Sequence, residues 1–236
     1  MDSLEQVVFV VDGDPDMCRA VSTLCGTPTS RVIGFGCAAD YLLAKKADAP
    51  GCVVLALDLP DANGLDLQDR VCKSVHPPIV FVSDRCDVPA SVRAIKAGAV
   101  DFLTKPVDPR KLCTAVDAAI GQDRATRFAR MQLEALRHRY CLLSPRERQV
   151  LPLVVGGRLN KQSAAELGIS ETTLQIHRRN VMHKMEAGSL ADLVRMASAL
   201  DVPLPLARSV SRARVAPDYG RNAVRAVAND QYLLHA

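Results

Sequence analysis

The sequence predicts two domains in tandem, an α/β domain followed by an all-α domain, and three observations carry that expectation. Short apolar runs that end in polar loops alternate with helical patterns through roughly the first half of the chain. Capped helical segments joined by a glycine-punctuated turn occupy residues 141–200. The net charge of +4 conceals an asymmetry: residues 1–122 carry 12 Lys and Arg against 16 Asp and Glu, and residues 123–236 carry 18 against 10. At 236 residues, 48% of them hydrophobic, the chain is long enough for two cores of the usual domain size, about 100–150 residues each.

Taken in order, residues 6–11 form an apolar strand leading into Asp12, Gly13, Asp14, Pro15 and Asp16. Residues 52–57 read as a short buried parallel strand, and residues 58–64 turn the chain into a helix beginning near Leu65. Residues 78–83 form another buried strand, ending at Ser83. Residues 87–98 have an N-cap at Asp87, apolar residues at helical spacing and a terminal glycine, which predicts a short helix. A further strand covers residues 99–106.

Over residues 5–121 this pattern resembles the receiver domain of response regulators. The resemblance implies a doubly wound parallel sheet of five strands. In that family the phosphorylated Asp lies four residues before a Pro and eight before a Gly; counting back from Pro60 and from Gly64 reaches Ala56 both times. Alanine has no nucleophilic oxygen, so no acyl phosphate forms there. The family's acidic pair, which holds a divalent cation beside the acceptor, corresponds to Asp12 and Gly13, so the second carboxylate is missing as well. Ser83 matches the hydroxyl residue that contacts the phosphoryl group, Phe102 the aromatic switch position, and Lys105 the family's lysine, followed by Pro106 through a cis peptide.

These departures set expectations for the site. No metal or cofactor is expected, nor any enzymatic activity. A buried Asp12 without cation or partner would be costly, so a pairing with Lys105 is the economical arrangement. Asp14 reads as a helix N-cap or solvated loop charge. Asp58, about 6–7 Å further along an extended chain, is the alternative acceptor. Eight cysteines are scattered without CxxC or zinc-like spacing, as expected of reduced thiols in the cytosol; Cys86, in the loop after the strand at 78–83, is the candidate for redox sensing.

The second domain begins at Leu143. Ser144 is an N-cap, Pro145 takes the first helical position, and Glu147 reaches back toward the helix start. Residues 160–167 form a second helix ended by Gly168, a turn follows, and a third helix runs from about 172 to 185. Residues 141–199, with a fourth helix near 189–200, resemble the LuxR-type helix-turn-helix domain of the NarL/FixJ family. The resemblance places the third helix in the major groove of double-stranded DNA. It puts Gln175, Ile176 and Arg179 at base-facing positions, with Lys161, Thr173, His177, Arg178 and Lys184 as backbone contacts or supports. A basic second half is what a polyanion-binding module needs.

The expected organisation is a receiver domain at 1–121, a helical linker at 122–140, the helix-turn-helix domain at 141–200, and a basic, flexible tail at 201–236, in which 222–234 admit a short amphipathic helix. The expected function is a DNA-binding transcriptional regulator that acts independently of aspartyl phosphorylation at a promoter operator. The family implies a homodimer, and a protein or small ligand of the receiver is a possible input. The competing readings are a conventional phosphorylated regulator using Asp58 and a receiver-mediated interaction module. No run approaches the roughly 18–20 apolar residues of a membrane span, and Met1 to Glu5 lack the start of a secretory signal, so a cytoplasmic location without a membrane partner is expected.

Overall fold

The structure is a computed structural model describing residues 6–26, 30–85 and 87–203. Strands β1 (Gln6–Val11), β2 (Ser30–Phe35), β3 (Gly51–Ala56), β4 (Ile79–Ser83) and β5 (Asp101–Thr104) make one sheet in the order β2-β1-β3-β4-β5. All four pairings are parallel, so each connection crosses through a helix: α1 (Pro15–Cys25), α2 (Ala38–Leu43), α3 (Gly64–Val71) and α4 (Val88–Lys96).

Alternation along the strands decides which helix covers which face. Phe9, Leu55 and Phe81 pack with Tyr41 of α2, Leu67 of α3 and Ala94 of α4. Their neighbours Val10, Val54 and Val82 point the other way, against Met17 and Val21 of α1 and Val116 and Ala119 of helix α5 (Pro109–Cys141). With both faces covered, the central strands are apolar throughout, which is why they read as unbroken runs. The strand order reverses at β1, and this opens a crevice at the carboxyl ends of β1 and β3. Asp12, Ala56, Ser83 and Lys105 all lie at that edge of the sheet.

Side-chain caps hold the helix starts. Asp14 Oδ1 accepts the amide of Asp16 at 2.9 Å, and Asn63, Asp87 and Asp108 cap α3, α4 and α5 in the same way. Helix α2 receives no cap from its own Cys37. Instead Asp61, in the loop after β3, accepts from the amides of Ala38 and Ala39, each at 2.9 Å. Gly64 lets α3 start hard against β3: a Cβ there would sit 2.3 Å from the Ala56 carbonyl oxygen.

Helix α5 has 33 residues, about 50 Å of helix at 1.5 Å per residue. Its first third is buried against the sheet. Asp123, itself buried, then accepts from the Gly51 amide at 2.8 Å and from Arg127 Nε at 2.8 Å, while Arg127 also pairs with Asp48. The stretch that follows is mostly solvated until Leu136, which enters a third core. That core joins α5 to α6 (Pro145–Val155), α7 (Asn160–Leu167), α8 (Glu171–Met185) and α9 (Leu190–Ala199) through Leu143, Val150, Leu151, Leu174, Val181, Met185 and Leu193. Gly168 ends α7 at φ 65°, a left-handed conformation that suits glycine. The tail from residue 204 onward, including 222–234, and Cys86 lie outside the described residues.

Replacing Asp123 with Ala leaves the Gly51 amide unpaired and the Arg127 guanidinium with Asp48 alone. The expected loss is about 2–3 kcal/mol of first-domain stability, read from the shift in urea midpoint at unchanged slope.

Candidate functional site

Two places bring together the residues singled out from the sequence. The first is the crevice at the sheet edge. Lys105 Nζ lies 2.9 Å from Asp12 Oδ2 and 3.7 Å from Asp84 Oδ2, while Asp12 Oδ1 accepts the Asp14 amide at 2.9 Å. Burial lowers the lysine pKa, but the carboxylates of Asp12, Asp84 and Asp14 outweigh it and hold the group above its ordinary value. The Lys105–Pro106 peptide is cis.

Ala56 ends β3 with its methyl in the core beneath α1 and α5. Gly13 has no side chain to offer, and a Cβ there would press on Pro60 Cγ at 3.1 Å. Ser83 is buried, and its hydroxyl accepts the Arg85 amide at 3.2 Å. Phe102 stacks on Phe81 with ring centroids 6.0 Å apart. Asp58 is exposed beyond the strand end, bridged to Asn63 across the loop. A hard divalent cation takes oxygen donors, commonly several carboxylates. Here positions 13 and 56 supply none and Lys105 sits on Asp12, so these residues do not fit a magnesium ion. Among the described residues no three His, Cys, Asp or Glu cluster as metal ligands.

The second place is helix α8. Ser170 caps it by accepting the Thr173 amide at 3.1 Å, and Leu174, Val181 and Met185 turn inward. Gln175, Ile176 and Arg179 project outward, with Ile176 56% exposed despite its apolar side chain. Lys161 of α7 is exposed too.

Three other residues expected here are engaged within the domain. Thr173 Oγ1 is 2.8 Å from Ser170 Oγ, Arg178 donates to Asn160 Oδ1 at 3.3 Å, and Lys184 donates to Glu147 Oε2 at 2.7 Å. His177 is half-buried, with Nδ1 lacking a partner among the described residues. Sequence reasoning passed over Asn180 and His183, which share the exposed face. Their spacing of four from Ile176 and Arg179 was the available signal.

The buried Glu147 carboxylate holds this arrangement together. It accepts the Ser144 amide at 2.8 Å, completing a capping box on α6, and takes the Lys184 ammonium from the last turn of α8. Burial raises its pKa, yet the bonds from Lys184 and Ser144 prevail and hold it below the usual glutamate value.

Comparison with known proteins agrees with both halves. Residues 8–117 match the response regulator receiver domain, and residues 142–197 match the bacterial regulatory proteins of the luxR family. The chain is 43% identical over 201 residues to Nodulation protein W of Bradyrhizobium diazoefficiens, an alignment covering 85% of this chain and 88% of that one. The chain belongs to the NarL/FixJ family of response regulators. The transcriptional regulatory protein FixJ of the same organism is 36% identical over 191 residues, covering 80% of this chain and 93% of its own. The solved structure of the response regulator StyR superposes with a TM-score of 0.74 at 36% identity, covering 82% of this chain and 98% of that one. This response regulator is accordingly a LuxR-type DNA-binding transcriptional regulator. No helix among its described residues is long and apolar enough to cross a membrane.

Because the Glu147 pKa is depressed in the folded state, its contribution is present above the unfolded value, about 4.3, and is lost as pH falls through the lower folded value. Glu147→Gln is expected to weaken the second domain at neutral pH and to flatten its loss of stability below pH ~4.5. Thermal melts followed by circular dichroism between pH 3 and 7 check both.

Proposed function

We propose that this response regulator binds operator DNA through α8 and that its receiver acts without aspartyl phosphorylation. The observation that carries the reading is Ala56 at the end of β3, with Lys105 already paired to Asp12 at 2.9 Å. In a phosphorylated receiver the lysine and the hydroxyl residue respond to a new anion and shift a two-state equilibrium. Here Lys105 is held by Asp12 and Ser83 by the Arg85 amide. Asp58 is a poor substitute because it sits in the loop, past the buried edge.

On the DNA side, Arg179 is placed to read guanine and Gln175 to read adenine, the pairings that side-chain geometry favours in the major groove. Ile176 supplies an apolar surface, which suits the thymine methyl. Lys161 is a phosphate contact, and Asn180 and His183 extend the same face. Thr173, Arg178 and Lys184 orient the helix through their internal bonds, with His177 packed beside them. The domains divide at 1–121, 122–140 and 141–200, and the place of action is the cytoplasm. Paired half-sites call for two copies; the exposed apolar stripe Val88, Val92 and Ile95 on α4 is the surface assigned to self-association.

The deciding test is DNA binding by the untreated full-length protein to selected genomic fragments, repeated with acetyl phosphate and magnesium. Specific binding that the donor leaves unchanged is the expected result. Binding that appears only with the donor would mean that Asp58 or another residue accepts phosphate, and it would sink the reading. Arg179→Ala is expected to weaken specific binding by about 1–3 kcal/mol, roughly 5- to 150-fold, with discrimination lost at one base pair. Lys161→Ala is expected to weaken all sequences alike and to lower the salt slope by about one.

A further inference from the structure

Two thiols separated by 88 residues meet at one flank of the receiver. Cys25 is the last residue of α1, Cys113 lies in the second turn of α5, and their sulfurs are 3.8 Å apart. Cys113 also lies 3.6 Å from the Leu24 carbonyl, and both cysteines are partly exposed. No other two thiols are in such contact among the described residues. A disulfide needs a sulfur separation of about 2.05 Å, so the two sulfurs, 3.8 Å apart, must approach further before a bond forms.

We propose that Cys25 and Cys113 form a reversible dithiol–disulfide site, oxidised by hydrogen peroxide, that fastens α1 to the helix leading into the DNA-binding domain. Cys113 attacks the peroxide oxygen as thiolate; the O–O bond breaks, hydroxide leaves and is protonated to water, and a sulfenic acid remains. Cys25 then attacks that sulfur, the S–S bond forms, and a second water departs with the Cys25 proton. Two thiols lose two electrons and one peroxide becomes two waters.

The order of attack follows from the surroundings. Burial, then the hydrogen bond and charge of Cys113, push the Cys25 thiol up to about 12, so it does not initiate. Oxidation of Cys113 removes its own contributions to that shift while burial remains, and Cys25, with its sulfur 3.8 Å away, is the thiol in position to resolve the sulfenic acid.

The test treats the reduced full-length protein with hydrogen peroxide, blocks the remaining thiols with iodoacetamide, and maps the digest without reduction. A 2 Da loss located in a linked Cys25–Cys113 peptide, reversed by dithiothreitol, is the expected result. It should come with a Tm raised by on the order of 10 °C, because the bond closes a long loop in the unfolded chain. Cys25→Ser should lose the linked peptide and retain a sulfenic acid on Cys113 that dimedone traps. Three results from the wild-type protein would each overturn the proposal: both thiols still alkylated after peroxide, Cys113 linked to another cysteine, or a bond between two chains.

Discussion

Helix α5 belongs to two hydrophobic cores at once, and the arrangement of the molecule depends on that. Its first turns complete one face of the receiver sheet, and Leu136 and Tyr140 help close the core of the helix-turn-helix domain. An α-helix does not bend freely between such anchors, because each turn is tied by main-chain hydrogen bonds. The two domains are therefore joined by a rod. Asp123 makes the junction stiffer by binding the rod to the first residue of β3, and Arg139 pairs with Glu186 just beyond the end of α8.

In the crevice at the carboxyl ends of the strands, Ala56 and Gly13 contribute no carboxylate, and Lys105 pairs with Asp12. Lys105 lies closest to Asp12, with Asp84 farther out at the solvent edge. The observed ion pair is what electrostatics requires, since either charge alone would carry a desolvation cost that the pair largely offsets. The surrounding loops keep their shape for unrelated reasons. Asp61 caps α2, Gly64 admits α3, and Ser83 steadies the chain after β4.

In the second domain one buried carboxylate connects cap, core and recognition helix. Glu147 satisfies the N-terminus of α6 and the lysine of α8 together, so the angle of α8 follows from an interaction made on the far side from its exposed Gln175 and Arg179. Lys184 thus ties the last turn of α8 to the start of α6. Its sequence position, on a basic helix, gives no sign of which way the ammonium turns.

Local chemistry was enough to read much of this protein from its residues. Apolar runs marked the strands at 6–11, 52–57 and 78–83, and Ser144, Glu147 and Gly168 marked helix boundaries through hydrogen bonds confined to neighbouring residues. The spacing from Pro60 and Gly64 placed Ala56 because a turn of fixed length follows the strand end. Tertiary structure alone decided what depends on residues far apart in the chain: Asp61 capping α2, Asp123 gripping Gly51, Lys184 turning to Glu147, and Cys25 meeting Cys113. Those contacts are set by how helices pack across a sheet or against one another, and periodicity along one helix contains no record of what the next element places opposite it.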